Sequence, residues 1–317
     1  MTNSNFNPAA PAATGQKRKI IIFSDFDGTI AMQDTGHILV DHHGCGTEAR
    51  IKLEEEINAG TRSFREVSED MWASLHVPFE DGFVVMEKTI EMDPGFREFH
   101  QYCVANGFPF NVISAGLKPI LRRVLDTYLG AEQSSSIDIV ANDAIIKPDG
   151  SEWKPIWRHD DSSSGHDKAR SVNEARLAAQ AECEPGEMPL IVFIGDGVSD
   201  LPAAREADVL FARRGLRLEE YCIENGIKYT PFDTFADIKR DIEKLSKEDQ
   251  EKTGGVGKPI RYNPRANLWR RMSSKEAVPT IMAAATPSKE EKMFLWPETF
   301  SETKPGTIEE REEPIAV

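Results

Sequence analysis

The sequence lacks three features that would place it in familiar protein classes. Its four cysteines lie far apart and form no Cys-x-x-Cys pair, which excludes a zinc ribbon and a dithiol redox motif. No apolar run approaches the roughly 18 residues that a transmembrane helix needs. The first residues carry their positive charges after an Ala/Pro stretch, whereas a secretory signal has them before an apolar one. We therefore expect reduced cysteines and a cytoplasmic protein.

Basic residues are also in deficit. The chain of 317 residues has 38 Lys and Arg against 53 Asp and Glu. Residues 20–247 hold 24 basic and 41 acidic side chains, a net charge of −17, whereas residues 248–317 are nearly balanced. Nucleic acids and anionic membranes need a basic face, so general binding to either is excluded. The basic run at 17–19 leaves a nuclear location open beside the cytoplasmic one.

The apolar pattern predicts a Rossmann-like α/β fold with a doubly wound parallel sheet. Residues 20–24 (IIIFS) form a short, almost wholly apolar run, as in a parallel strand buried on both faces. Helical patterns separate this run from further runs of the same kind, and such alternation builds a parallel sheet covered by helices. The other predicted strands are 110–114, 137–140, 190–194 and 209–211.

The alternation is interrupted after the first strand and stops before the end of the chain. A helical segment without strands follows the first strand and predicts a small inserted cap, after which Asp93 is expected to cap a helix that begins at Pro94. Both ends of the chain lack periodicity, which is typical of disorder. The predicted organisation is a disordered leader (1–18), a core (19–34 and 91–247), a helical cap (35–90) and a disordered tail (248–317).

The most informative motif is Asp25-Phe26-Asp27-Gly28-Thr29, directly after the first predicted strand. It places two carboxylates at the carboxyl end of a strand, where α/β sheets put their ligand sites. On a straight strand these side chains would face opposite ways. Because Gly28 and Thr29 turn the chain, both carboxylates can approach one site.

Three more polar segments follow in the expected places. Residues 114–116 (SAG) end the second strand and offer a hydroxyl and backbone N–H groups to a phosphate oxygen. Lys168 stands near a helix start, against the helix dipole, which indicates a functional role. We interpret its predecessors His166 and Asp167 as helix-start residues. Residues 195–200 (GDGVSD) add two carboxylates, and their glycines allow a ligand to approach.

Together the four segments resemble the haloacid dehalogenase-like superfamily, specifically its phosphatases. The order DxDGT, Ser, Lys, GDxxxD is matched at every position, and the helical insertion is similar to the cap of the phosphoserine-phosphatase-like branch. The stretches 113–120, 165–171 and 195–201 resemble the fungal polyol phosphatases, which hydrolyse sugar-alcohol phosphates. The resemblance implies a Mg²⁺-dependent phosphatase of a small phosphorylated metabolite.

The resemblance also implies a role for each motif residue. Asp25 is the nucleophile that forms an aspartyl-phosphate, and Asp27 is the general acid and base. Asp25, the backbone carbonyl of Asp27 and Asp196 hold Mg²⁺, which oxygen ligands favour over zinc. The implied phosphate-binding residues are Ser114, Ala115 and Lys168, with Asp200 behind them to orient Lys168 or a metal-bound water.

The substrate depends on the cap. Asp34, nine residues after Asp25, matches an acidic substrate-binding position of phosphoserine phosphatases, although a role as a helix cap explains it equally well. Those enzymes hold the substrate carboxylate with a cap arginine, and here that position is Met71. This departure argues against phosphoserine and for a neutral sugar-alcohol phosphate, unless Arg62 or Arg65 takes the place of the arginine.

Other interpretations stay open. A metabolite of the phosphoserine type, or of the diketo-phosphopentane type of methionine salvage, would use the same site, and a sensor of a phosphometabolite would keep the fold without turnover. The segments 268–272 (LWRRM) and 293–296 (MFLW) of the tail are aromatic clusters that could dock another protein. No pattern indicates the oligomeric state.

Overall fold

A seven-stranded sheet forms the centre of the molecule in a computed structural model, which describes residues 18–183 and 187–253. The strands are β1 (Ile20–Ser24), β2 (Phe110–Leu117), β3 (Asp138–Ile146), β4 (Trp153–Ile156), β5 (Leu190–Gly195), β6 (Val209–Arg213) and β7 (Thr230–Phe232). Their order across the sheet is β4-β3-β2-β1-β5-β6-β7, and every neighbouring pair is parallel except β3 and β4. The predicted parallel sheet is confirmed, with β1 at its centre.

Helices cover both faces of this sheet. The α-helices of the described residues are α1 (Thr35–His43), α2 (Thr47–Asn58), α3 (Phe64–Ala73), α4 (Phe79–Thr89), α5 (Phe96–Asn106), α6 (Lys118–Leu129), α7 (Ala131–Ser134), α8 (Lys168–Ala181), α9 (Leu201–Glu206), α10 (Arg217–Glu224) and α11 (Phe235–Thr253). Ile20 and Ile22 of β1 pack into one apolar cluster with α5, α6 and α11. Ile21 and Phe23 face the other way, into a cluster with α8, α9 and α10. This alternation along one buried strand is the reason for the two helical layers.

The helical insertion after β1 consists of α1 to α4, and its first helix begins directly after Asp34. Ser63 begins α3 through a capping box in which Ser63 and Glu66 bind each other's backbone N–H groups. The β3–β4 hairpin holds the insertion against the core. There Trp153 donates from Nε1 to the carbonyl of Val77 at 2.8 Å, and its ring stacks on Trp72 with centroids 6.5 Å apart.

The prediction that Asp93 is the N-cap of a helix beginning at Pro94 is wrong. The helix α5 begins at Phe96, after Gly95, and Asp93 is instead fully buried. One of its carboxylate oxygens accepts from the N–H groups of Gly95 (2.9 Å) and Phe235 (3.0 Å), and the other pairs with Arg213 at 2.9 Å. Two of these three partners are distant in sequence, so the local Asp-Pro pattern alone does not determine where this carboxylate lies.

The ends of the described chain differ from the predicted boundaries. The helix α11 continues to Thr253, past the expected start of the tail at 248. Arg18, which the leader was predicted to include, donates to the carbonyl of Met188 at 2.8 Å and pairs with Asp249 of α11 at 3.1 Å. Residues 1–17 and 254–317, with both aromatic clusters of the tail, lie outside the described residues.

Two further properties concern the described residues as a set. All four cysteines are free thiols, as expected. In the part of the chain that the structure describes, no helix is long and apolar enough to cross a membrane.

Candidate active site

The carboxyl ends of β1, β2 and β5 meet at one edge of the sheet, and the sequence motifs come together there. Asp25 follows β1 directly, and its N–H donates to the carbonyl of Ile194 in β5 at 2.9 Å. Ser114 lies in β2, and Asp196 follows β5. Neighbouring parallel strands thus bring together motifs that are up to about 170 residues apart.

Lys168 pairs with two carboxylates, those of Asp25 and Asp200. Its Nζ lies 2.9 Å from Oδ2 of Asp25 and 2.8 Å from Oδ1 of Asp200, and all three side chains are buried. Burial alone would lower the pKa of Lys168, but Asp200 and Asp25 outweigh it and raise the pKa above its ordinary value. An ammonium group has three N–H donors, so one remains to bind a phosphoryl oxygen.

Three carboxylates, those of Asp25, Asp196 and Asp200, gather oxygens within 4.8 Å of one another. Burial, followed by repulsion from Asp200, raises the pKa of Asp25 well above its ordinary range and that of Asp196 to about 7. A divalent cation would relieve this repulsion, and an all-oxygen donor set is the kind that Mg²⁺ and Ca²⁺ prefer. The residues therefore fit a hard metal ion.

Asp200 is already engaged on both oxygens. One binds Lys168, and the other accepts from the N–H groups of Asp196 (3.0 Å) and Gly197 (3.2 Å). These bonds fix the loop after β5 and the lysine at once. The arrangement favours the orienting role that was predicted for Asp200 over direct coordination.

The loop after β1 fixes Asp196 from the opposite side. Thr29 donates from Oγ1 to Oδ1 of Asp196 at 2.6 Å. Gly28 has φ +78°, and a Cβ there would lie 2.3 Å from Oδ2 of Asp196, so no larger residue fits. Arg213, which the sequence analysis did not single out, donates to the carbonyl of Thr29 at 2.6 Å and is itself paired with the buried Asp93.

Asp27 lies between the cap and the end of β2. Its Oδ1 accepts from the N–H of Thr35, the first residue of α1, at 2.9 Å. Its Oδ2 faces the segment 114–116, because a Cβ at Gly116 would lie 3.5 Å from this oxygen and 3.2 Å from Oγ of Ser114. Burial, followed by the charge of Asp34, raises the pKa of Asp27 to about 7.

The segment 114–116 is held by its carbonyl groups. The carbonyl of Ala115 accepts from Nδ2 of Asn142 at 2.8 Å, and that of Ser114 accepts from Nδ1 of His166 at 2.7 Å. Oγ of Ser114 accepts from the N–H of Gly116 at 2.9 Å, which leaves the hydroxyl proton for another acceptor. The predicted phosphate-binding group is therefore positioned by residues from β3 and from the loop before α8.

His166 and Asp167 were both predicted to lie at the helix start, and they have different partners there. Asp167 does cap α8, by accepting from the N–H of Arg170 at 3.0 Å. His166 is buried and also contacts Oγ of Ser171 through Nε2 at 2.9 Å. A carbonyl only accepts, so Nδ1 carries the proton. Burial lowers the pKa of His166 to about 3, which keeps the ring neutral.

On the cap, Asp34 is the N-cap of α1 and accepts from the N–H of His37 at 2.8 Å. Met71 packs with Val40 and Val67 in an apolar cluster inside the cap. The two arginines considered as its substitutes are engaged with other residues of the chain. Arg62 pairs with Asp70 at 2.8 Å, and Arg65 donates to the carbonyl of Asp160 at 2.6 Å.

Known proteins share this fold, and a known family matches this sequence. The model of the haloacid dehalogenase-like hydrolase family matches residues 22–205. The chain belongs to this family. A solved phosphoserine phosphatase, a phospho-aspartyl intermediate analogue, shares the fold with a TM-score of 0.53 and 17% identity, over 72% of this chain and 99% of that chain. Another, the substrate-bound complex of a phosphoserine phosphatase, has a TM-score of 0.52 and 18% identity over 73% and 99%.

Curated relatives of this haloacid dehalogenase-like hydrolase indicate the class of reaction within the family. Polyol phosphate phosphatase PYP1 of Saccharomyces cerevisiae is 40% identical over 221 residues, which is 69% of this chain and 91% of the relative. Pdp3-interacting factor 1 of Schizosaccharomyces pombe is 39% identical over 230 residues, 73% and 97%. A 2-hydroxy-3-keto-5-methylthiopentenyl-1-phosphate phosphatase of Bacillus cytotoxicus is 30% identical over 71% and 97%. The chain is thus a phosphatase that hydrolyses phosphomonoesters, and the resemblance seen in the motifs is confirmed.

Proposed function

We propose that this hydrolase is a Mg²⁺-dependent phosphatase of small sugar-alcohol phosphates that works through an aspartyl-phosphate at Asp25. The observation that carries the proposal is the buried Lys168 between Asp25 and Asp200, beside Asp196. Such a site combines a nucleophile, a cation and a metal-binding oxygen set. The 40% identity with a protein named polyol phosphate phosphatase supports the substrate class.

In the first step, a carboxylate oxygen of Asp25 attacks phosphorus, and the bond between phosphorus and the alcohol oxygen breaks. Asp27 gives its proton to that oxygen. In the second step, Asp27 takes a proton from a water molecule, whose oxygen attacks phosphorus. The bond from phosphorus to Asp25 then breaks, which releases inorganic phosphate and restores the carboxylate.

The remaining residues hold the phosphoryl group. Lys168 offers its third N–H, and Ser114 offers its hydroxyl beside the N–H of Ala115. Asp25, the carbonyl of Asp27 and Asp196 would hold Mg²⁺. When bound, the ion supplies the positive charge that lets a carboxylate approach a phosphate dianion.

The cap favours a neutral leaving group. Met71 stands where the resemblance implies an arginine for the phosphoserine carboxylate, and it is buried among apolar residues. Asp34 borders Asp27 and is our proposed contact to the substrate besides its capping role. A second candidate substrate is a methylthiopentenyl phosphate, because the 30% identical relative is named for it.

Hydrolysis of 4-nitrophenyl phosphate with Mg²⁺ tests the activity, and a substrate panel tests the class. We expect turnover by the wild type and none by Asp25→Asn. In the panel, sugar-alcohol phosphates should give the highest kcat/KM, ahead of phosphoserine and methylthiopentenyl phosphate. A wild type as inactive as Asp25→Asn would refute the enzyme proposal, and phosphoserine in first place would refute the argument from Met71.

A further inference from the structure

A network of charged side chains lies on the cap next to Asp27. Asp34 and His37 belong to the first turn of α1, and the N–H of Thr35 in that turn donates to the carboxylate of Asp27. Asp27 is the group that must touch the oxygen of the leaving alcohol. The body of a bound leaving alcohol would therefore lie against the first turn of α1.

The network continues from His37 to α2. Nε2 of His37 lies 2.9 Å from Oε1 of Glu54 and 3.8 Å from Oδ2 of Asp34. Arg50 donates from Nη1 to the same oxygen of Glu54 at 2.8 Å. Its Nε and Nη2 donate to both oxygens of Asp41, at 2.7 and 3.0 Å. The fork of Arg50 thus locks α1 to α2, with Glu54 between the guanidinium and the imidazole.

The network has a buried part, Arg50 and Glu54, and a partly exposed rim, His37 and Asp34. The side chains of Glu54 and Arg50 are 8% and 5% exposed, whereas those of His37 and Asp34 are 26% and 36% exposed. A buried ion pair with good geometry holds its side chains in one arrangement. The exposed edges of His37 and Asp34 are accordingly fixed groups beside Asp27.

The charge of the network selects among leaving groups. Three carboxylates face one guanidinium and one imidazole, so the network stays negative whether or not His37 is protonated. A negative rim repels a second carboxylate or phosphate on the substrate and accepts hydrogen bonds from hydroxyl groups. Met71, buried in the apolar cluster with Val40 and Val67, adds no positive charge.

We infer that His37, held in place by Glu54, is a specificity-determining residue that binds hydroxyl groups of the leaving alcohol, with Asp34 beside it. Glu54 is a positioning residue that acts through His37. This inference rests on the proposed function, because it explains how a sugar-alcohol phosphate is preferred over phosphoserine. It assigns substrate selection to the α1–α2 pair instead of to an arginine at the position of Met71.

The test is the ratio of kcat/KM for a hexitol phosphate to kcat/KM for 4-nitrophenyl phosphate, which lacks hydroxyl groups. We expect His37→Asn and Glu54→Gln to lower this ratio by about 10- to 100-fold, mostly through KM of the hexitol phosphate, because the loss of one substrate hydrogen bond has a cost of this order. Glu55→Gln, an exposed neighbour on α2, is the matched control and should leave the ratio unchanged.

The outcomes separate the two proposals. If the wild type hydrolyses the nitrophenyl ester but no sugar-alcohol phosphate, both the proposed substrate class and this inference are wrong. If the wild type prefers the hexitol phosphate and both variants keep that preference, the inference alone is wrong. An equal loss on both substrates also overturns it, because that result means a general structural role for the network. Turnover of the nitrophenyl ester shows in each case that the variant is folded.

Discussion

His166 makes the stability of this phosphatase depend on pH in a way that one substitution should reveal. The ring is buried and neutral, with Nδ1 bound to the carbonyl of Ser114 and Nε2 to Ser171. Burial lowers its pKa from 6.5 to about 3 in the folded state. In the unfolded chain the ring has its ordinary pKa. Below about pH 6.5 the unfolded state therefore binds a proton on this ring that the folded state does not bind.

The direction and the size of the pH effect follow from the difference between the unfolded and folded pKa values of His166. The contribution of His166 is fully present above the unfolded pKa and is lost as the pH falls from there toward the folded pKa. One pH unit corresponds to about 1.4 kcal/mol, so at about pH 5 the wild type has lost about 2 kcal/mol through this residue alone. His166→Gln removes the titration, although it also costs about 1–3 kcal/mol at every pH through weaker buried hydrogen bonds.

Urea unfolding of wild type and His166→Gln at about pH 7.5 and about pH 5 measures the effect. Carboxylates titrate alike in both proteins and cancel in the comparison. We expect the wild type to lose about 2 kcal/mol more than the variant between the two pH values. Equal losses would mean that His166 is not held neutral and that the bonds assigned to its ring are wrong.

Three further predictions concern the metal site and the packing of the cap. Thr29→Val removes the donor to Asp196 and should raise the Mg²⁺ concentration for half-maximal activity by about 10- to 100-fold, whereas Thr29→Ser should not, as activity titrated with Mg²⁺ will show. Gly28→Ala should raise it by at least about tenfold through contact with Asp196, but Gly60→Ala, with a similar φ of +68° and open space, should leave this titration unchanged. Trp153→Ala should lower the free energy of unfolding by about 3–5 kcal/mol, measured with urea, and a change below about 1 kcal/mol would contradict the packing described for the hairpin.

The position of the candidate site could be predicted from the sequence for a simple reason. Apolar runs such as residues 20–24 mark parallel strands, and parallel strands end at a common edge. A polar motif directly after each run must then lie at that edge. Asp25, Ser114 and Asp196 could be brought together on that ground before any coordinates were considered.

Contacts between distant segments could not be predicted in the same way. His166 and Asn142 bind the carbonyls of Ser114 and Ala115, and a backbone carbonyl leaves no mark in the sequence. Asn142 lies in β3 just after the predicted apolar run 137–140, where nothing in the sequence distinguishes it from a residue of the following loop. The prediction at Asp93 failed because its carboxylate binds Phe235 of α11 and Arg213 of β6, besides the nearby N–H of Gly95.

The edge strands escaped prediction for a different reason. The strand β4 has only four residues and contains Pro155, which a central strand would not tolerate but an edge strand does. The strand β7 has only three residues, and it too contains a proline. Neither offers an apolar run long enough to stand out from its surroundings.

The covalent role of Asp25 is the central claim, and the burst kinetics of Asp27→Asn with 4-nitrophenyl phosphate and Mg²⁺ test it most directly. Nitrophenolate leaves without a proton from Asp27, so Asp25 should still be phosphorylated, whereas the attack of water needs Asp27 as a base. We predict a rapid release of about one nitrophenol per active site, followed by a much slower steady rate. Linear release from the first turnover, or a burst that persists in Asp25→Asn with Asp27→Asn, would contradict an aspartyl-phosphate at Asp25.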